Sequence, residues 1–293
     1  MGNRTKKLLK TALKFVITGL ALYFVFSKIS WEQVSELLLR AKPFYLLLAM
    51  LFFIFSKVLS AFRLNTFFKC IDLNISSIYN LKLYWIGMFY NLFLPGGIGG
   101  DGYKVYLLNR QYDVKVKPLV QATLIDRISG LASLLFLGGL GFLLLDLSAF
   151  PFWVKYADMA CLVLLFPALF IFSRLLFRPF TKKLPRAMIW SVGVQVMQVI
   201  SAVFILYSIG ISDQYLSYAV LFLISSFVSI FPFTIGGLGS REITFLLGFQ
   251  YFGIAEAQSI ALSLLFTLIT ALVSLVGVFL KAENPIPEKN QTA

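Results

Sequence analysis

Long hydrophobic runs separated by short basic stretches dominate the 293-residue chain. Six runs, at residues 11–26, 43–62, 118–145, 154–175, 187–209 and 255–280, approach or exceed the length that carries an α-helix across a bilayer, about 20 residues. They predict six full transmembrane helices. Two further apolar runs, 78–94 and 215–231, behave differently. Each would make only roughly 25 Å of helix, and each runs into a glycine-rich break, "PGGIGG" at 95–100 and "PFTIGGLG" at 232–239. The continuations "YKVYLLNRQYD" and "SREITFLLGFQ" are too short to cross a hydrocarbon core of about 30 Å. Irregular backbone at membrane depth is tolerated only where protein or a wet cavity surrounds it. The pattern therefore predicts two re-entrant hairpins. The expected fold is all-α and polytopic, with about six full transmembrane helices plus two glycine-broken hairpins.

The two breaks are copies of one motif. At an offset of 137 residues Pro95 meets Pro232, Ile98 meets Ile235, Gly99 and Gly100 meet Gly236 and Gly237, Gly102 meets Gly239, and Lys104 meets Arg241. The order around each copy also repeats: span, span, hairpin, span. Three crossings per half invert the second half in the membrane. The expected organisation is a single integral membrane domain, with a first inverted repeat at 1–147, a second at 148–281 and a cytoplasmic tail at 282–293. Inverted repeats with broken helices are a transporter arrangement, with the site at the repeat interface near the midplane.

Charge bears on topology first. Lys and Arg number 26 against 13 Asp and Glu, a formal net charge of +13. With hairpins and an inside N-terminus, 17 basic residues fall on cytoplasmic pieces and span ends and 4 on outer ones. If each break were one full crossing, the split would be 10 against 11. The positive-inside rule thus favours the hairpins and places both termini in the cytoplasm, in the cytoplasmic (plasma) membrane. The same rule accounts for the positive charge without nucleic acid, and basic flanks suit anionic lipid headgroups. A chain that is 59% hydrophobic and 13% charged is a membrane protein rather than a soluble one. The basic, then apolar, N-terminus lacks a small-residue cleavage site and is expected to remain as the first span.

Composition also narrows the chemistry. There is no histidine, which removes His-based triads and proton relays. Cys70 and Cys161 have no metal-like spacing. No metal and no cofactor are expected. Lys104 and Arg241 are the candidates to hold a lipid phosphate: Arg binds its oxygens bidentately and Lys acts as a point charge. The backbone amides of Gly99, Gly100, Gly236 and Gly237 at the helix breaks suit the same anion, and Arg63 is a further candidate. Asp101, Asp126, Arg127 and Glu242 are expected to form internal charge pairs, Asp101 or Glu242 with Arg127 and Asp126 with Lys104. Asp126 and Arg127 are adjacent on one helix and need separate partners. Lys57 and Lys82 sit in apolar context; Lys57 has no assigned role, and Lys82, one helical turn after Ile78 and Tyr79, is a candidate to face a wet cavity.

The stretches "NLFLPGGIGGDGYKVYLLNR", "QATLIDRISGL" and "SIFPFTIGGLGSRE" resemble the lysylphosphatidylglycerol synthase transmembrane region, a flippase-like family, over nearly the whole chain. The matching positions are Pro95, Gly99, Gly100, Asp101, Lys104, Asp126, Arg127, Pro232, Gly236, Gly237, Gly239 and Glu242. The family often shows Arg where Lys104 stands. In longer relatives, the multiple peptide resistance factors, this region is joined to a domain that transfers an aminoacyl group to phosphatidylglycerol, and the membrane part is implicated in moving the product between leaflets. The sequence ends twelve residues after Lys281, so that transferase domain is not expected here. The resemblance implies translocation of a phospholipid or polyprenyl-phosphate-linked lipid, with membrane lipids as partners. Two other roles stay open at this stage: a membrane enzyme that modifies a lipid headgroup with Asp101, Asp126 or Glu242, and a partner subunit of a separately encoded lipid-modifying enzyme or glycosyltransferase.

Overall fold

The computed structural model describes residues 31–93, 99–146, 148, 150–230 and 239–282. Ten α-helices lie among the described residues: α1 (Trp31–Arg40), α2 (Pro43–Phe68), α3 (Ser77–Phe93), α4 (Gly99–Tyr112), α5 (Val116–Leu143), α6 (Phe152–Leu176), α7 (Leu184–Ser208), α8 (Tyr215–Ile230), α9 (Ser240–Gly248) and α10 (Glu256–Leu275). Helices α2, α5, α6, α7 and α10 are long and apolar enough to cross a membrane. The protein is an all-α polytopic membrane protein. The expected first span at 11–26, the break tips at 94–98 and 231–238, and the tail from 283 lie outside the described residues.

Prolines start several helices. Pro43 opens α2, Pro151 caps α6, and α7 carries a proline in its first turn. A missing N–H has no intrahelical partner to lose there. Helix α2 runs six residues past the end expected from hydropathy, because its polar C-terminal part, including Arg63 and Asn65, is buried in protein. Helix α1 has no counterpart among the expected elements. It is amphipathic, with Val34 fully buried and an exposed Glu36–Arg40 pair at 2.6 Å one turn apart, and it packs on α10. Helix α6 stands at the periphery with Val163, Leu164 and Leu175 exposed, a surface suited to lipid.

The repeat seen in the sequence recurs in the element order. Long, short, short, long is α2, α3, α4, α5 in the first half and α7, α8, α9, α10 in the second. Helices α3 and α4 pack against each other across the first break, and α8 and α9 across the second. The 17-residue α3 and 16-residue α8 reach about 25 Å and 24 Å, short of the hydrocarbon core. The second limb of each hairpin packs on the last long helix of its own half, α4 on α5 and α9 on α10. The first limb packs on the last helix of the other half, α3 on α10 and α8 on α5. The equivalent helices α2 and α7 form the most extensive helix pair. Separate apolar clusters surround the hairpins, one including Leu83, Val105 and Leu108 and the other Phe222, Phe245 and Ile260.

Two glycines decide how the hairpins close. A Cβ on Gly100 would overlap the Gly87 carbonyl, so the start of α4 touches the backbone of α3 directly. Gly239 precedes α9 with φ +82°, a left-handed conformation that glycine adopts without a Cβ clash. Gly100→Ala is expected to lower the unfolding midpoint in detergent, in line with overpacking costs of about 1–3 kcal/mol. Gly102→Ala, where an added Cβ meets nothing within 4 Å, is expected to leave the midpoint unchanged or raised. Equal shifts for the two variants would refute the close crossing.

Candidate functional site

A cavity of about 390 Å³ opens between the halves, within the usual range of ligand sites, about 300–1,000 Å³. Both halves build its wall. Helix α2 supplies Phe53, Lys57, Ser60 and Arg63, α3 supplies Tyr84 and Asn91, and α5 supplies Arg127. Helices α7, α8, α9 and α10 supply Gln195 and Gln198, Ser226 and Ser229, Arg241, and Phe266. Among the described residues, four of the lining side chains are cationic, Lys57, Arg63, Arg127 and Arg241, and none is a carboxylate.

Arg63 forms the best-defined charge contact. Its Nε donates to Asp126 Oδ1 at 2.7 Å and its Nη2 to Oδ2 at 2.9 Å, while Nη1 donates to Ser191 Oγ at 3.2 Å. The pair is buried, with side-chain exposures of 7% and 10%, so water does little to screen it. It joins α2 to α5 and, through Ser191, to α7. Next to Asp126 in sequence, Arg127 points elsewhere and pairs with Asp101. Asp101 also accepts from Lys104 Nζ at 3.0 Å, and Lys104 lies over the Tyr84 ring, 4.4 Å from its centroid.

The second motif is wired differently. Arg241 Nη1 donates to Ser226 Oγ at 3.1 Å, and the guanidinium stands over Phe266 and Phe222 at 4.9 and 5.2 Å. Glu242 is fully buried. It accepts from the Gly239 backbone N–H at 2.7 Å and from Ser263 Oγ at 2.8 Å, so it caps the start of α9 and ties that helix to α10.

These positions revise the expected roles. Arg127 pairs with Asp101, one of its two expected partners. Asp126 pairs with Arg63 and not with Lys104, because Lys104 finds Asp101 one helical turn back on α4. Arg63, a candidate for lipid phosphate, has its fork engaged by Asp126, though it still borders the cavity. Glu242 forms no ion pair among the described residues; its neighbour Arg241 points to a different side of α9. Lys104 is not part of the cavity wall. Gly100 N–H donates to Asn91 Oδ1 at 2.8 Å and is already occupied within the hairpin, while Gly99 opens α4 beside it. Gly236 and Gly237 lie outside the described residues.

Lys57 was left without a role by sequence reasoning, yet it lines the cavity, 4.3 Å above the Phe53 ring. A signal for it existed. Ser56, Lys57, Ser60 and Arg63 share one side of an otherwise apolar helix, and Ser191, Gln195 and Gln198 recur at helical spacing on α7. Two polar stripes on long spans mark a wet interface. Gln195 Oε1 is buried there without a hydrogen-bond partner among the described residues.

The fold and site define a multi-pass helical membrane protein with a cationic cavity among its helices. Residues 11–277 match the lysylphosphatidylglycerol synthase TM region, and the chain belongs to that family. A UPF0104 membrane protein of Pyrococcus horikoshii is 34% identical over 99 residues, a match covering 33% of this chain and 30% of that protein. The aligned part thus spans about a third of the relative's length.

Removing one member of the Arg63–Asp126 pair strands a buried charge, which typically costs about 3–5 kcal/mol. Arg63→Met is expected to unfold at clearly lower temperature or denaturant concentration than wild type. Arg63→Met/Asp126→Leu is expected to recover most of the loss. A single variant as stable as the parent would refute the structural role of the pair.

Proposed function

We propose that the protein moves a phosphate-bearing lipid between membrane leaflets, with the headgroup passing through the cavity between the two halves. The observation that carries this reading is a cavity wall that holds, among the described residues, four cations and no carboxylate. A charged headgroup is disfavoured in hydrocarbon, and fixed cations replace the water it leaves behind. The acyl chains need no such shelter and remain in lipid. The two hairpins, each clasped to the last helix of the other half, supply elements that differ in position if the halves rock about the α2–α7 contact.

The enzyme alternative has less support. Asp101, Asp126 and Glu242 are committed to Lys104 and Arg127, to Arg63, and to the start of α9. None lines the cavity as an acid or base. No specific observation favours a partner-subunit role.

In vesicles reconstituted with the protein and fluorescent phospholipids, wild type is expected to speed leaflet exchange over empty vesicles. Arg241→Ala and Lys57→Ala are each expected to slow the protein-dependent rate at least tenfold, about 1.4 kcal/mol in barrier. Lys104→Ala, away from the cavity wall, is expected to act mainly through stability. Wild-type rates equal to those of empty vesicles across a panel of anionic, zwitterionic and polyprenyl-phosphate lipids would sink the proposal.

A further inference from the structure

The cations on the cavity wall fall into two classes. Arg63 and Arg127 each hold a carboxylate. Lys57 and Arg241 have no carboxylate partner among the described residues. They are held by aromatic faces, Lys57 over Phe53 and Arg241 over Phe266 and Phe222. The rings of Phe53 and Phe266 meet edge to face, with centroids 5.4 Å apart. Both cations line the same cavity wall and rest on one connected aromatic group. An aromatic face steadies a cation through its quadrupole without bringing a compensating negative charge. A carboxylate would have neutralised the cation.

The charge balance points the same way. In and around the cavity, the described cations are Lys57, Arg63, Lys104, Arg127 and Arg241, and the described carboxylates are Asp101, Asp126 and Glu242. Asp126 matches Arg63, Lys104 and Arg127 share Asp101, and Glu242 is bound at the start of α9, so the group carries an excess of positive charge and Lys57 and Arg241 have no carboxylate of their own among the described residues. A monoanion would leave one of them unmatched.

Building on the lipid-phosphate reading above, we propose that Lys57 and Arg241 form a clamp for a doubly charged phosphate group, a phosphomonoester or a diphosphate, and select it over the singly charged phosphodiester of ordinary phospholipids. A phosphomonoester carries about −1.5 to −2 charges at neutral pH, matching the two cations. Arg241 supplies a planar fork for two oxygens and Lys57 a second point charge on the same cavity wall. Because the rings and Ser226 already hold both side chains, little ordering is needed when the anion enters.

The test measures binding to the purified full-length protein of three short-chain lipids with identical tails: phosphatidate, phosphatidylglycerol and phosphatidylcholine. Inorganic diphosphate serves as a tail-free competitor. Wild type is expected to bind phosphatidate at least tenfold more tightly than phosphatidylglycerol, and phosphatidylcholine more weakly still. Lys57→Met and Arg241→Met are each expected to shrink that preference below threefold, while Lys57→Arg keeps it. Diphosphate competing only weakly supports the clamp with a lipid as the source of the anion. Diphosphate competing as well as phosphatidate supports the clamp with a free anion as its ligand and removes support from lipid translocation. Equal wild-type affinity for phosphatidate and phosphatidylglycerol overturns the dianion clamp while leaving lipid transport standing. Binding of none of the probes overturns both. The wild-type comparison decides the matter even if a variant fails to fold.

Discussion

A charge placed in a membrane interior must find a partner within the protein, and the Arg63–Asp126 pair is where this constraint shapes the molecule most. Two parallel hydrogen bonds fix the guanidinium against the carboxylate, and Ser191 takes a third donor. Three long helices, α2, α5 and α7, are held in register by this one buried contact. Helices α2 and α7 also form the most extensive helix pair, so the contact lies where the packing is greatest. The cavity lies beside it, with Arg63 in its wall. The position of the candidate site and the packing of the central helices are one problem with one solution.

The hairpins show how a repeated motif acquires two jobs. Lys104 and Arg241 are equivalent in sequence, yet only Arg241 reaches the cavity. The difference traces to the residue three positions earlier. In the first motif it is Asp101, one helical turn from Lys104 and within bonding distance. In the second it is Leu238, which offers no charge. Lys104 is consumed in a local cluster with Asp101, Arg127 and Tyr84. Arg241 is left to rings, a serine hydroxyl and the cavity. Glu242 does not change this, because neighbouring positions on a helix point about 100° apart and its oxygens are taken by Gly239 and Ser263.

Polar groups in this protein divide accordingly. Those that close the fold are paired with one another: Arg63 with Asp126, Asp101 with Lys104 and Arg127, Glu242 with a helix start. Lys57 and Arg241, which also line the cavity, are supported by rings with no carboxylate partner among the described residues. Such a division keeps the site electropositive while the hairpins around it stay closed, and it separates residues whose loss destabilises the protein from residues whose loss should alter what the protein holds.

Hydropathy alone determined the membrane class, the all-helical fold and the approximate limits of the spans. A helix in hydrocarbon must satisfy its own backbone, and about 20 apolar residues are the visible consequence. The duplicated glycine motif was also legible, because a motif copied at a constant offset leaves its mark in the letters themselves. Short α1 was not legible, since ten residues of mixed polarity carry little signal until Val34 is seen buried against α10. Nor were the charge partners. Asp126 lies 63 residues from Arg63, and which of several cations it meets depends on how α2, α5 and α7 cross. Lys57 passed for a stray charge in an apolar run, and only the convergence of seven helices turned it into half of a cationic pair. Local pattern sets which segments form helices; the pairing of charges between helices is a property of their crossing geometry, which exists only once the chain has folded.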